Sequence, residues 1–167
     1  RAGVAANGYA HGGPMGGNLG KPAAGQRPAF LVYAMRDPDG PNLDRIQVVK
    51  GWLGKDGKSQ ERIFDVAVSG GRKIGADGRC KTLVGSTVDV ANATYTNTIG
   101  AAMLSAYWKD PTFDASQRAF YYVRVIQIPS PRWTAYDQKR FGIKMPDYVP
   151  MTVTDRAYTS PIWYSPS

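Results

Sequence analysis

The sequence predicts a mainly β domain, an antiparallel β-sandwich of the immunoglobulin-like type with one short helix and a Gly/Pro-rich N-terminal arm. Short segments rich in Val, Ile, Tyr, Phe and Trp recur along the chain, and Gly, Pro and Asp separate them as turn residues do. Only the stretch from Ser130 to Phe141, followed by Gly142, has the pattern of a helix. A chain of 167 residues is long enough to bury a hydrophobic core without disulfides.

The chain divides into a glycine-rich extended arm at residues 1–28 and a β-sandwich domain at residues 29–167. Glycine loses more conformational entropy on folding than any other residue, so we expect no regular element in the arm. The arm is therefore expected to lie on another surface. That surface is either the sandwich itself or a part of the protein that precedes this chain.

Four segments carry the clearest strand patterns. The apolar run Phe30–Met35 is typical of a strand covered on both faces. The segments Asp44–Leu53 and Gln60–Val68 form a predicted hairpin, because Gly57 lies between them where a turn needs a positive φ. Arg118–Ile128 is the most strongly apolar and aromatic segment, and we predict that it is a central strand.

The remaining segments give weaker predictions. Ser69–Lys81 contains four glycines and is predicted to be a long, mobile connection. The segments Ser86–Thr96 and Ala101–Trp108 have the composition of strands. The tail Arg156–Tyr164 is predicted to end in a closing edge strand.

The composition argues against a reaction centre built from this chain alone. It has a single histidine, His11, and a single cysteine, Cys80. Zinc sites and base–nucleophile pairs need more such groups, so we expect no catalytic residue, no metal ligand and no cofactor in this chain. No run of about 18 apolar residues is present, so we also expect no membrane span.

The net charge of +8 raises the question of an anionic partner. Between Arg45 and Lys81, however, basic residues alternate with acidic ones. This mixed pattern favours a solvated or partner-facing surface over a nucleic-acid site, and we do not expect nucleic-acid binding.

One cluster of residues combines aromatic faces with cations around the predicted helix. It comprises Arg132, Trp133, Tyr136 and Arg140, with Lys139 beside them. Such a set can stack a sugar or a base, or hold an anionic group. The alternative is that Trp133 and Tyr136 pack the helix against the sandwich while the cations remain in water.

Several segments, taken in order, are also distinctive of a known family. They are Pro14–Leu19, Asn42–Trp52, Asn97–Ala101, Gln117–Val125, Pro131–Asp137 and Ala157–Tyr164. With these segments the chain resembles the C-terminal portion of a large bacterial family, the domain of unknown function 3604. The resemblance covers nearly the whole chain.

The resemblance implies a role and a partner. In that family the N-terminal portion is similar to metal-dependent hydrolases of the polymerase-and-histidinol-phosphatase (PHP) type, whose histidine motifs are not found here. It implies a non-catalytic C-terminal accessory or structural domain, with the upstream catalytic portion as its partner and a divalent metal in that portion. Because position 1 is Arg and not Met, we expect a longer parent protein.

Two further expectations accompany this interpretation. Family members often carry export signals, which implies an extracytoplasmic, periplasmic location. The alternative function is a glycan- or polyanion-binding β-sandwich module that uses the aromatic and basic residues around the helix.

Overall fold

The computed structural model describes residues 2–23 and 25–166, and within them the protein is mainly β. The elements in chain order are α1 (Ala2–His11), β1 (Asn18–Leu19), β2 (Ala29–Met35), β3 (Leu43–Leu53), β4 (Ser59–Val68), β5 (Met103–Lys109), β6 (Ala119–Gln127), β7 (Ser130–Pro131), α2 (Trp133–Phe141), β8 (Thr152–Val153), β9 (Arg156–Tyr158) and β10 (Ile162–Tyr164).

The larger sheet has six strands in the order β1-β10-β6-β3-β4, and β9 also pairs with β6. Strand β3 lies between β4 and β6, and both of these pairings are antiparallel. The predicted hairpin is therefore confirmed, and so is the central position of β6. The sheet is mixed and not purely antiparallel, because β1 pairs with β10 in parallel.

Strands β2 and β5 form a second, antiparallel sheet that packs on one face of the larger one. The core between them is built on Phe30, Val48, Ala119 and Tyr121. The ring centroids of Phe30 and Tyr121 are 4.8 Å apart, so the aromatic side chains of the two sheets meet directly. Such contacts add to the stability that area burial provides.

Helix α2 confirms the predicted helix and its end. Gly142 follows its last residue with φ of 62°, the left-handed conformation that glycine adopts without steric cost. The helix packs through Thr134 and Ala135, and the Thr134 hydroxyl donates to the carbonyl of Pro150 at 2.6 Å. The short strand β7 precedes the helix in the chain and pairs with β8, which follows it.

The predicted arm differs from the structure at its start. Residues 2–11 form helix α1 where an extended segment was expected. Four of these ten residues are alanine, the strongest helix former, and most of the arm's glycines lie after His11. The prediction averaged the composition of residues 1–28 and missed this local difference.

Two strand predictions are also corrected. Ser86–Thr96 forms no regular strand. The Asp89 carboxylate accepts hydrogen bonds from the backbone and side-chain amides of Asn92 and closes a tight turn there. Strand β10 is not the edge of its sheet, since β1 pairs along its outer side. That pairing joins residues far apart in sequence, which no local pattern indicates.

One buried ion pair joins the two layers of the core. The Lys50 ammonium on β3 lies 2.6 Å from the Asp110 carboxylate, and the side chains of both are almost completely buried. Tyr121 on β6 donates to the same carboxylate at 2.7 Å, and the amide of Thr112 donates to its other oxygen at 2.8 Å. The segment after β5 is thereby bound to both central strands.

These contacts shift the pKa values of Asp110 and Tyr121. Burial would raise the pKa of Asp110, but the hydrogen bonds from Lys50, Tyr121 and Thr112 outweigh it and hold that pKa below its ordinary value. Burial, together with the bond to Asp110, raises the pKa of Tyr121 well above its ordinary value. Folding therefore favours an ionised Asp110 beside a neutral Tyr121.

We predict that Asp110→Asn lowers the free energy of unfolding by about 3–5 kcal/mol, because it leaves the Lys50 charge buried without a counter-ion. Tyr121→Phe removes one hydrogen bond and keeps the ion pair, so it is expected to cost about 1–3 kcal/mol. Urea unfolding followed by tryptophan fluorescence measures both values. Equal stabilities for Asp110→Asn and the unmutated chain would contradict this account.

The same variant has a second, pH-dependent readout. The pKa of Asp110 is lower in the folded state than its unfolded value of about 3.9. Its stabilising contribution is thus present above about pH 4 and is lost as the pH falls through the folded pKa. We expect the stability of Asp110→Asn to fall less steeply below pH 4 than that of the unmutated chain.

Candidate binding surfaces

The polar side chains of β3 hold the connection between β4 and β5 in place. Arg45 contacts Asp44 at 3.0 Å and Asp65 at 3.1 Å, and all three residues are buried. The amide of Cys80 donates to Asp65 at 2.7 Å, so the 69–81 connection is bound to the sheet near its end. Arg72 binds it near its start by donating to the carbonyl of Ser69 at 2.9 Å and to the Asp44 side chain.

This network is structural in its chemistry. Each buried carboxylate in it faces at least one arginine, so neither Asp44 nor Asp65 is free to act as a base or a metal ligand. Across residues 2–23 and 25–166, no three His, Cys, Asp or Glu side chains come together as metal ligands would. The PHP-type metal implied for the parent thus has no fitting donor set in the described part of this chain, and the side chain of His11 lies outside it.

Cys80 is buried and its thiol lies 3.6 Å from the carbonyl oxygen of Thr82. We predict that Asp65→Ala increases the rate of Cys80 labelling by a thiol reagent at least tenfold. The Asp65 carboxylate binds both Arg45 and the Cys80 amide, and its removal frees the segment that covers the thiol.

The matched control is Lys81→Ala, which changes an exposed neighbour of Cys80 and leaves the buried network intact. Labelling is followed by mass spectrometry under native conditions. Equal rates for Asp65→Ala and Lys81→Ala would show that the network does not hold this segment.

The structure exposes three of the four residues predicted from sequence for binding, and Arg132 is partly buried. Trp133 is 62% exposed, and Tyr136 and Arg140 are exposed on the same side of α2 by their helical spacing. The Arg132 guanidinium lies 5.8 Å from the centre of the Trp133 ring. The buried residues of the helix are Thr134 and Ala135, which anchor it. Lys139 donates to the carbonyl of Asn92 at 2.8 Å.

A second aromatic set, which sequence reasoning missed, crosses the open face of the larger sheet. We call it the aromatic row, and it consists of Trp163, Phe120, Tyr122 and Tyr158 on β10, β6 and β9. Successive ring centroids are 5.3, 6.4 and 6.1 Å apart. The alternation of Phe120, Tyr121 and Tyr122 could have indicated aromatic side chains on both faces of β6, but their neighbours come from distant segments.

A groove lies at the Trp163 end of the aromatic row. It has a volume of about 520 Å³, which falls in the range of small-molecule sites. Its aromatic lining consists of Trp52, Phe120, Trp163 and Tyr164. Its polar lining is supplied by Ser59, Gln60, Glu61, Arg118 and Ser165. Gly51 lines it too, and the Phe120 ring lies so close to this glycine that a Cβ there would collide with it.

A third surface is the outer face of the β2–β5 sheet. We call it the ribbon face, and its apolar members are Leu31, Tyr33, Met35, Met103 and Tyr107, each exposed by about half or more. The cross-strand pairs Leu31–Tyr107 and Met35–Met103 make the set contiguous. The sequence predicted that Phe30–Met35 is covered on both faces, whereas the described residues cover only the Phe30 face.

These observations define a mainly β domain whose candidate functional features are surfaces. The chain belongs to the family described as "Protein of unknown function (DUF3604)", whose model matches residues 1–166. The resemblance drawn from the sequence is confirmed at the level of that family. Neither a curated protein nor a solved structure shows a significant match to the chain. None of the helices in the described part is long and apolar enough to cross a membrane.

Proposed function

We propose that this chain is a non-catalytic accessory domain that docks through its ribbon face onto the upstream catalytic portion of a longer protein. That portion would be a metal-dependent hydrolase of the kind the sequence resemblance implies, with a divalent metal held by its own residues. The observation that carries the proposal is the contiguous apolar surface on β2 and β5.

The ribbon face is too apolar for a surface that functions in water. Its strands are seven residues long, which corresponds to about 23 Å. Full burial of a large apolar side chain stabilises a protein by about 1.5–3 kcal/mol, and five such side chains are exposed together here. Contiguous exposed patches of this kind mark contact surfaces.

The polar composition of the ribbon face favours a permanent contact over a transient one. Of the residues that point outward from the two strands, only Lys109 is charged, and it lies at one end opposite Ala29. Permanent interfaces are more hydrophobic than transient ones and resemble a domain core divided in two. The other portion of the same polypeptide is such a permanent partner.

The arrangement of the two sheets also supports an immunoglobulin-like sandwich as the finer fold assignment. The two sheets face each other across one core, as the layers of a sandwich do. The extracytoplasmic location stays part of this proposal on the strength of the family resemblance.

Docking is tested by cysteine labelling in the 167-residue chain and in the longer protein. Tyr107→Cys puts a thiol on the ribbon face, where the native side chain is 67% exposed. We predict that a maleimide labels this thiol at least tenfold more slowly in the longer protein, because the upstream portion covers it. The native Cys80 is buried and gives a low background.

The matched control is Leu83→Cys, at a loop position that is 84% exposed and outside the ribbon face. It should be labelled equally fast in both proteins. Equal labelling of Tyr107→Cys in the two proteins would contradict docking through this face, and so would equal slowing at both positions.

The accessory role makes a prediction about metal. After dialysis against Zn²⁺ or Mn²⁺ and then against buffer, the longer protein should retain metal and the 167-residue chain should not. Plasma mass spectrometry measures the metal, and p-nitrophenyl phosphate serves as a general hydrolysis probe. Hydrolysis by the 167-residue chain alone, abolished by EDTA, would overturn the proposal.

A further inference from the structure

We propose that the aromatic row and the groove at its end bind a linear oligosaccharide. The site lies on the sheet and differs from the α2 residues that the sequence singled out. It also differs from the ribbon face, so it is independent of the docking proposal. Its chemistry combines a line of aromatic faces with hydrogen-bonding groups along the margin.

The aromatic row lies on the face of the sheet that the β2–β5 layer does not cover. Tyr121 points into the core, where its ring lies 4.8 Å from that of Phe30. Side chains alternate along a strand, so Phe120 and Tyr122 point to the opposite face. A partner on the ribbon face would therefore leave the aromatic row open to a ligand.

The geometry of the row suits an extended ligand of repeating rings. The planes of Phe120 and Tyr122 are nearly parallel, at 10°. Trp163 is tilted by 47° to Phe120, and Tyr158 by 47° to Tyr122. Trp163 and Tyr158 are about half exposed, whereas Phe120 and Tyr122 are partly covered. The row thus places four aromatic rings across three strands, with its two most exposed rings at the ends.

The groove supplies the polar half of the recognition. A sugar ring has apolar C–H faces and a rim of hydroxyl groups, so it needs an aromatic platform with donors and acceptors around it. Phe120 and Trp163 offer the platform, while Arg118 donates, Glu61 accepts and Gln60 does both. The ribbon face has only Lys109 as a charged outward residue, which is why a sugar is assigned to the groove and a protein partner to the ribbon face.

Arginine side chains at both ends of the aromatic row make acidic sugars candidate ligands. Arg118 lies at the groove end, and Arg124 and Arg156 lie on β6 and β9 at the other end. Arg124 is held in place by a bond to the Gln47 side chain at 2.8 Å. A carboxylate-bearing sugar can pair with such arginines, so acidic as well as neutral oligomers are included.

The test titrates the 167-residue chain with hexasaccharides and follows tryptophan fluorescence and calorimetry. The panel consists of cellohexaose, xylohexaose, mannohexaose, chitohexaose and hexagalacturonate. We expect saturable binding of at least one of them. Trp163→Ala should weaken that binding at least tenfold, and Tyr158→Ala at least threefold, since each removes an exposed ring of the row.

Tyr148→Ala is the matched control, because it removes an exposed aromatic side chain from the connection between α2 and β8, outside both the aromatic row and the α2 residues. It should leave the affinity unchanged, and circular dichroism should show the same fold for all three variants. Tyr158→Ala keeps the test valid if Trp163→Ala fails to fold. No saturable binding across the panel would overturn the proposal, as would binding that both row variants leave intact.

Discussion

Strand β3 places charged and polar side chains inside the protein, and the rest of the structure depends on how they are paired. Asp44, Arg45, Gln47 and Lys50 are all buried on this one strand. A buried charge without a partner costs several kcal/mol, so each must find one. The partners come from both sides of the strand: Asp65 on β4, Arg124 on β6, and Asp110 and Cys80 in connecting segments. Pairing thus fixes loops that have no regular structure of their own.

The buried polar side chains of β3 have different partners on the two faces of the larger sheet. On one face, Lys50 and Tyr121 meet Asp110, and the β2–β5 layer closes over the apolar core beside them. On the other face, Gln47 joins Asp65 to Arg124 through hydrogen bonds of 2.6 and 2.8 Å, next to the aromatic row. The buried polar groups thus serve to hold strands and loops together. Among the described residues, no buried side-chain nitrogen or oxygen lacks a hydrogen-bond partner.

Local sequence patterns predicted the elements whose formation depends on neighbouring residues. The β3–β4 hairpin and α2 follow from Gly57 and Gly142, which adopt the positive φ that a turn and a helix end need. The central position of β6 follows from its continuous apolar and aromatic composition. In contrast, the β1–β10 pair joins residues more than 140 positions apart, and its strands are two and three residues long. Such a pair depends on tertiary contacts, which no local pattern contains.

Local sequence patterns were limited in the same way when they were used to predict the candidate binding surfaces. The α2 cluster was found from sequence because its residues are close along the chain, and in the structure Trp133 and Tyr136 are exposed. The aromatic row was missed because Trp163, Phe120 and Tyr158 come from three separate strands.

The ribbon face and the aromatic row differ in how well their apolar area is protected from water when no partner is bound. The ribbon face has a single charged residue at one end, so its exposure to water carries a continuing cost and favours permanent coverage. In the aromatic row, neighbouring rings pack on each other and arginines lie at both ends, so part of its apolar area is protected without a ligand. A surface with this composition can release and rebind a ligand. The composition of the ribbon face therefore favours a permanent occupant, and that of the aromatic row an exchangeable one.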